Sequence, residues 1–145
     1  MTEVEDIFSE VRKSKDYAKA AELIPYAQLL GIRFSEDENE ELLFYLPFNE
    51  NSIGNVLLPA LHGGVIGGFM ENAAIIHLMW TMESISVPKV IDFSLDYTLS
   101  GRPEDTYASC EIVKLGKRIA NVRIQAWQSD RKKLIAVARS HFNLG

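Results

Sequence analysis

The stretch Leu61-His62-Gly63-Gly64-Val65-Ile66-Gly67-Gly68-Phe69-Met70-Glu71 gathers the residue types that can handle a carbonyl group. A glycine pair opening a helix lets a ligand come close to the backbone. The first amides of a helix lack internal partners, and the helix dipole there favours negative charge. Such a start can hold a phosphate or the oxyanion formed when a carbonyl is attacked. Tight packing against a strand is the other reason for two glycines at that place. Glu71 puts a carboxylate in the middle of an apolar segment, where it is costly unless paired or functional. It has either an Arg or backbone-amide partner, or the role of general base or nucleophile. Seven residues of helix hold Gly64 and Glu71 about 10 Å apart, so one reacting carbonyl cannot touch both. Acting together, they require Glu71 from a second copy whose helix runs antiparallel beside the first, as a two-fold dimer supplies.

Other reactive side chains offer less. His62, just before the helix, is read as binding nearby backbone and fixing the loop, with a catalytic base as its other reading. His77 lies on the apolar helix and reads as a core residue, and Cys110 reads as a buried, inert thiol without a basic neighbour. His141 sits in the last strand, and the three histidines lack the close spacing of a zinc site. Serine nucleophile elbow, phosphate-binding loop and dinucleotide fingerprint are all missing from the sequence. No metal or redox cofactor is expected.

The elements that must position these residues follow from periodicity. Thr2 and Glu5 form a capping-box pair ahead of Val4, Ile7, Phe8 and Val11 at helical spacing. A second short helix is expected over residues 16–24, ended by Pro25; both helices read as packing material for a sheet. Strands are expected at 29–34 and 42–46, around the acidic turn 36–40, followed by a loop at 49–61. Residues 65–82 predict one long apolar helix, interrupted by Glu71, Asn72 and His77, hence not a membrane span. A helix apolar on nearly all sides belongs in the middle of a fold. The remainder alternates polar and apolar residues over 91–99, 107–113, 120–128 and 134–142, with turns at 115–117 and 129–132. Successive strands on short turns pair antiparallel, with one face packed and one wet. The expected fold class is α+β: an antiparallel sheet of five or six strands around one central helix, in a single domain spanning 1–145, with a helical extension at 1–27.

Composition sets the outer limits. The 145 residues, 47% apolar and 24% charged, suit one soluble globular domain and exclude disorder. A single cysteine forbids an intrachain disulfide, and the acidic N-terminal residues do not read as a signal peptide, so a cytoplasmic location is expected. A net charge of -5 argues against nucleic acid as a partner. The charge is uneven: residues 101–145 carry nine basic and four acidic side chains, so an anionic ligand would meet the C-terminal third.

Taken together, His62-Gly63-Gly64, the acid Glu71, Asn55 upstream, Leu95-Asp96-Tyr97 to Arg102-Pro103, Leu115-Gly116-Lys117-Arg118 and the closing strand 136–142 resemble a known family. The chain resembles the hotdog-fold acyl-CoA thioesterases of the phenylacetate-degradation type, over residues 28–145. The resemblance implies a helix wrapped in a sheet that assembles as a homodimer or dimer of dimers. It implies a thioester substrate of coenzyme A or an acyl carrier, with coenzyme A entering only as part of the substrate. By this analogy Gly64 offers its amide to the thioester carbonyl with Gly63 nearby, and Glu71 of the partner subunit activates water or attacks directly. Asn55 and His62 orient substrate or water, and Arg102, Lys117 and Arg118 meet the nucleotide phosphates. Three departures stand out: Glu71 replaces an Asp common in relatives, Asn55 lies one position farther from His62 than in several, and Val90 stands where some place a hydroxyl. The other function read from the same fold is an acyl-CoA or fatty-ligand binder without hydrolysis. A hotdog dehydratase is the third reading. Phe69, Met70, Met79 and Trp80 are expected to line the acyl pocket or fill the core, and the loop 49–61 to shape its mouth.

Overall fold

The computed structural model describes residues 3–82 and 86–145. Helix α1 (Glu3–Ser14) carries acids in its first turn and bases in its last, matching the helix dipole, and buries Phe8 and Val11. Thr2 of the expected capping box lies outside the described residues. Helix α2 (Tyr17–Glu22) is capped by Asp16, whose side chain accepts the Lys19 amide. α2 ends before Pro25 as expected, and Pro25 also opens a further helix, α3 (Pro25–Leu30), because its fixed φ suits a first helical position. Gly31, at φ 77, closes α3 in the left-handed region.

Of the strand expected at 29–34, residues 29 and 30 belong to α3, and β1 (Arg33–Glu36) begins later. Asp37 accepts the amides of Asn39 and Glu41 and turns the chain into β2 (Leu42–Leu46), which alternates buried Leu42, Phe44 and Leu46 with half-buried residues. The expected loop holds a 3-10 turn (Glu50–Ser52) and two short strands, β3 (Ile53–Asn55) and β4 (Ala60–Leu61), paired with each other. The long helix α4 (Gly63–Thr81) follows, then β5 (Lys89–Tyr97), β6 (Thr106–Leu115), β7 (Ile119–Trp127) and β8 (Leu134–Asn143).

Six strands form one antiparallel sheet in the order β1-β2-β6-β7-β8-β5. The two tight turns pair β6 with β7 and β7 with β8, whereas β5 lies beside β8 at the sheet edge and not beside its sequence neighbour β6. Ala108, Ala120, Ala126, Ala136 and Ala138 occupy inner positions of β6–β8. Their small side chains let the sheet close over the bulky Phe69, Met70, Ile76 and Leu78 of α4, all four fully buried. The far end of α4 is held by the N-terminal helices: the Trp80 ring lies among Phe8, Tyr17 and Phe34, and its indole N–H donates to Glu36 at 2.9 Å. Among the described residues, no helix is long and apolar enough to cross a membrane.

His77 is the misfit in this packing. Its Nδ1 is sealed from solvent without a partner among the described residues, and burial holds its pKa down at about 4, against a smaller opposing pull from Glu41. The folded chain thus keeps His77 neutral where an unfolded one would bind a proton, so stability falls as pH drops from about 6.5 to about 4. Replacing His77 by Leu is expected to remove up to about 3 kcal/mol of that acid dependence, read by urea unfolding at pH 7 and pH 4.5.

Candidate active site

The start of α4 is built by its neighbours. The His62 N–H donates to the Ser52 carbonyl, and the His62 carbonyl receives the amides of Val65 and Ile66. Its side chain caps the helix: Nδ1 accepts the Gly64 N–H at 2.9 Å. With Nδ1 accepting, the neutral ring carries its proton on Nε2. Gly64 is thus already engaged. The amide at this helix start without an acceptor among the described residues is that of Gly63. No acidic side chain stands in the first turn to compete with an incoming anion.

The glycines are explained by what comes close to them. A Cβ on Gly63 would stand 2.9 Å from the Tyr97 hydroxyl, which donates to the Gly63 carbonyl at 2.6 Å. A Cβ on Gly67 would stand 3.2 Å from Leu95, so β5 packs on the side of α4 that these two glycines clear. A cavity of about 390 Å³ adjoins this place, walled by Leu61, Gly63, Ile66, Tyr97 and Leu99. A larger one, about 840 Å³, lies between the N-terminal helices and the ends of β1 and β2, and no candidate residue lines it.

Glu71 is half-buried and has neither hydrogen bond nor ion pair among the described residues. The structural alternative, an Arg or amide partner, is absent within these residues. Gly64, Gly67, Gly68, Glu71 and Ile75 recur at helical spacing and are each at least partly exposed. Gly63 and Glu71, eight residues apart on a straight helix, are separated by about 12 Å.

Asn55 holds its own loop: its side-chain oxygen accepts the amides of Leu57 and Leu58, and residues 56–58 project into solvent. Arg102 has its backbone N–H and carbonyl bound by the side chain of Gln128, just past the end of β7. Lys117 and Arg118 precede β7 at its other end, so about 30 Å of strand lies between them and Arg102. Within one protomer the three cations expected to share a nucleotide do not come together. Phe69, Met70, Met79 and Trp80 are core residues, and none of them lines the cavity beside Gly63. Burial pushes the Cys110 thiol up, leaving it protonated. His141 pairs on the outer sheet face with Asp92, whose carboxyl it holds below the usual range.

Tyr97 is the site residue that spacing alone did not reveal. Two glycines four apart imply that something bulky crosses the helix, but pattern does not say which aromatic does so.

A family model described as the thioesterase superfamily matches residues 58–135. Among solved structures, a Chromobacterium violaceum protein is 52% identical, with 97% of each chain covered and a TM-score of 0.81. A Bacillus halodurans protein crystallised with CoA is 18% identical, covering 100% of this chain and 95% of its own at a TM-score of 0.75. A Ralstonia eutropha protein described as phenylacetic acid degradation-related is 16% identical, with 90% and 97% covered and a TM-score of 0.76. At those two identities the likeness is one of fold. No curated protein matches the chain.

His62→Ala removes the cap that holds Gly64 and is expected to cost about 1 kcal/mol of stability, measured by urea unfolding at pH 7.

Proposed function

The chain belongs to the thioesterase superfamily, and from that premise we propose that it hydrolyses an acyl-CoA to the free acid and coenzyme A. The observation that carries this reading is the pair of uncommitted groups on α4, the Gly63 N–H and the Glu71 carboxylate, about 12 Å apart. A second copy with its α4 antiparallel brings Glu71 of the partner subunit opposite Gly63, with the midpoint between the two groups at Gly67. The edge strand β5 supports that assembly. It leaves one side unpaired among the described residues and exposes Val90, Ile91 and Tyr97, the kind of edge that proteins cover.

In this site the thioester oxygen faces the Gly63 amide, the donor that His62 leaves free, rather than Gly64. Glu71 of the partner subunit takes a proton from water as the water oxygen attacks the thioester carbon, or attacks that carbon itself. The oxyanion gathers charge at the helix start, where a fixed N–H and the dipole stabilise it. Collapse breaks the C–S bond, and the thiolate leaves and takes up a proton; where Glu71 has attacked, water then cleaves the resulting anhydride to the free acid and restores the carboxylate. Tyr97 acts by fixing the helix start against β5. The bound CoA of the Bacillus halodurans relative supports coenzyme A as the carrier, and the Ralstonia eutropha relative supports placement with the phenylacetate-degradation type. Because Arg102 stands far from Lys117 and Arg118, one protomer meets the nucleotide through only one of these groups.

Glu71→Gln is expected to lower kcat by about 10²–10⁴-fold across a thioester panel while CoA-ester binding persists. Retained turnover would remove Glu71 from the reaction, and a wild type inert on every thioester would favour the binding reading. Gly63→Pro deletes the donor at a position where proline fits the helix, with Gly63→Ala as the control that adds a Cβ but keeps the N–H. The proline variant is expected to lose about 10²–10³-fold in kcat beyond the control. Ile91→Glu is expected to shift the protein toward monomer in sedimentation and to lose activity in parallel, whereas a fully active monomer would refute the shared site.

A further inference from the structure

The N-terminal extension lies outside the residues that the family model covers, yet one of its side chains reaches α4 beside Glu71. Tyr26, in the first turn of α3, leans on Gly68: a Cβ there would stand 3.1 Å from both its Cε2 and its hydroxyl oxygen. Gly68 is what permits this approach, and Leu30 of the same helix lies 3.5 Å from that Cβ position. Nearby, the buried Asn72 donates to the Gly68 carbonyl at 2.8 Å, which adds a bond to this stretch of α4. The outer side of Tyr26 is open, at 48% exposure, and its hydroxyl has no partner among the described residues.

Gly68 and Glu71 are three residues apart, so their positions are neighbours on the helix surface, about 5–6 Å apart at Cβ. Helical side chains lean toward the N-terminus and cover the turn before their own Cα. Glu71 therefore extends toward Gly67 and Gly68, where the Tyr26 hydroxyl stands. A phenol donates and a carboxylate accepts, and each lacks a partner among the described residues. No hydrogen bond joins them in the single chain, so the contact requires a rotation of the flexible Glu71 side chain.

We propose that Tyr26 is a positioning residue that hydrogen-bonds the Glu71 carboxylate and aims it at the thioester carbon in the partner's site. This rests on Glu71 being the acid of the reaction. The extension is then part of the working site as well as a cover for the sheet. Tyr26 supplies a donor that the residues of the family match do not.

Tyr26→Phe keeps the ring over Gly68 and removes only the hydroxyl. It is expected to lower kcat about tenfold at unchanged KM and unchanged melting temperature, the loss of one bond to a charged group. A second readout needs no turnover: the ¹³C resonance of the Glu71 carboxyl carbon, assigned by its disappearance in Glu71→Gln, is expected to move in Tyr26→Phe. An unchanged resonance overturns the proposal, and so does an unchanged kcat in the active protein. If the wild type cleaves no thioester the hydrolase reading falls, while the resonance still decides for or against the Tyr26–Glu71 bond.

Discussion

An α-helix is a rigid ruler, and the two groups of α4 that the chain leaves uncommitted are fixed by it at a distance no single carbonyl can bridge. The Gly63 amide sits at the start of α4 and Glu71 lies two turns along it. Both are costly to leave unused, one as a backbone donor in a helix dipole and the other as a carboxylate among apolar residues. The rest of the chain is arranged around holding α4 in place. Alanines draw the sheet over the opposite side of α4, Tyr97 clamps the first turn, and the N-terminal helices close the far end on Trp80. A second copy is the simplest object that makes use of what remains.

Much of this was legible in the residues. The alternation over 107–113, 120–128 and 134–142 placed three strands within two residues of their observed bounds, because each has one face against the helix and one in water. The apolar run after His62 placed α4 for a different reason: it is apolar on nearly all sides and lies under the sheet. Two features escaped. The helix before Pro25 ends where it was expected to, but Pro25 also opens a second one, since proline both stops a preceding helix and suits the first position of the next. The partner of β5 was also hidden: strand alternation gives faces but not neighbours, and β5 crosses the sheet to lie beside β8.

The site was legible in type more than in detail. His62 could be seen as a residue that ties down backbone, but which amide it ties down decides the chemistry. By holding Gly64 it leaves Gly63 as the free donor. The cations are close in charge pattern and far apart in space within one protomer, at the two ends of β7. Tyr26 and Tyr97 were invisible as site residues, since each acts by entering a space that a glycine of α4 leaves empty. Glycines in the helix are half of each contact. The other half comes from elements distant in sequence.

The shared site is tested most directly by mixing two inactive chains. Glu71→Gln retains the Gly63 donor and Gly63→Pro retains the acid, so a dimer holding one of each rebuilds one intact site. Unfolded together and refolded at equal amounts, the pair should regain about a quarter of wild-type activity, from the half of dimers that are mixed and the one good site in each. Activity no greater than the sum of the two variants alone, with mixed dimers shown to have formed, would mean that donor and acid never meet across the interface.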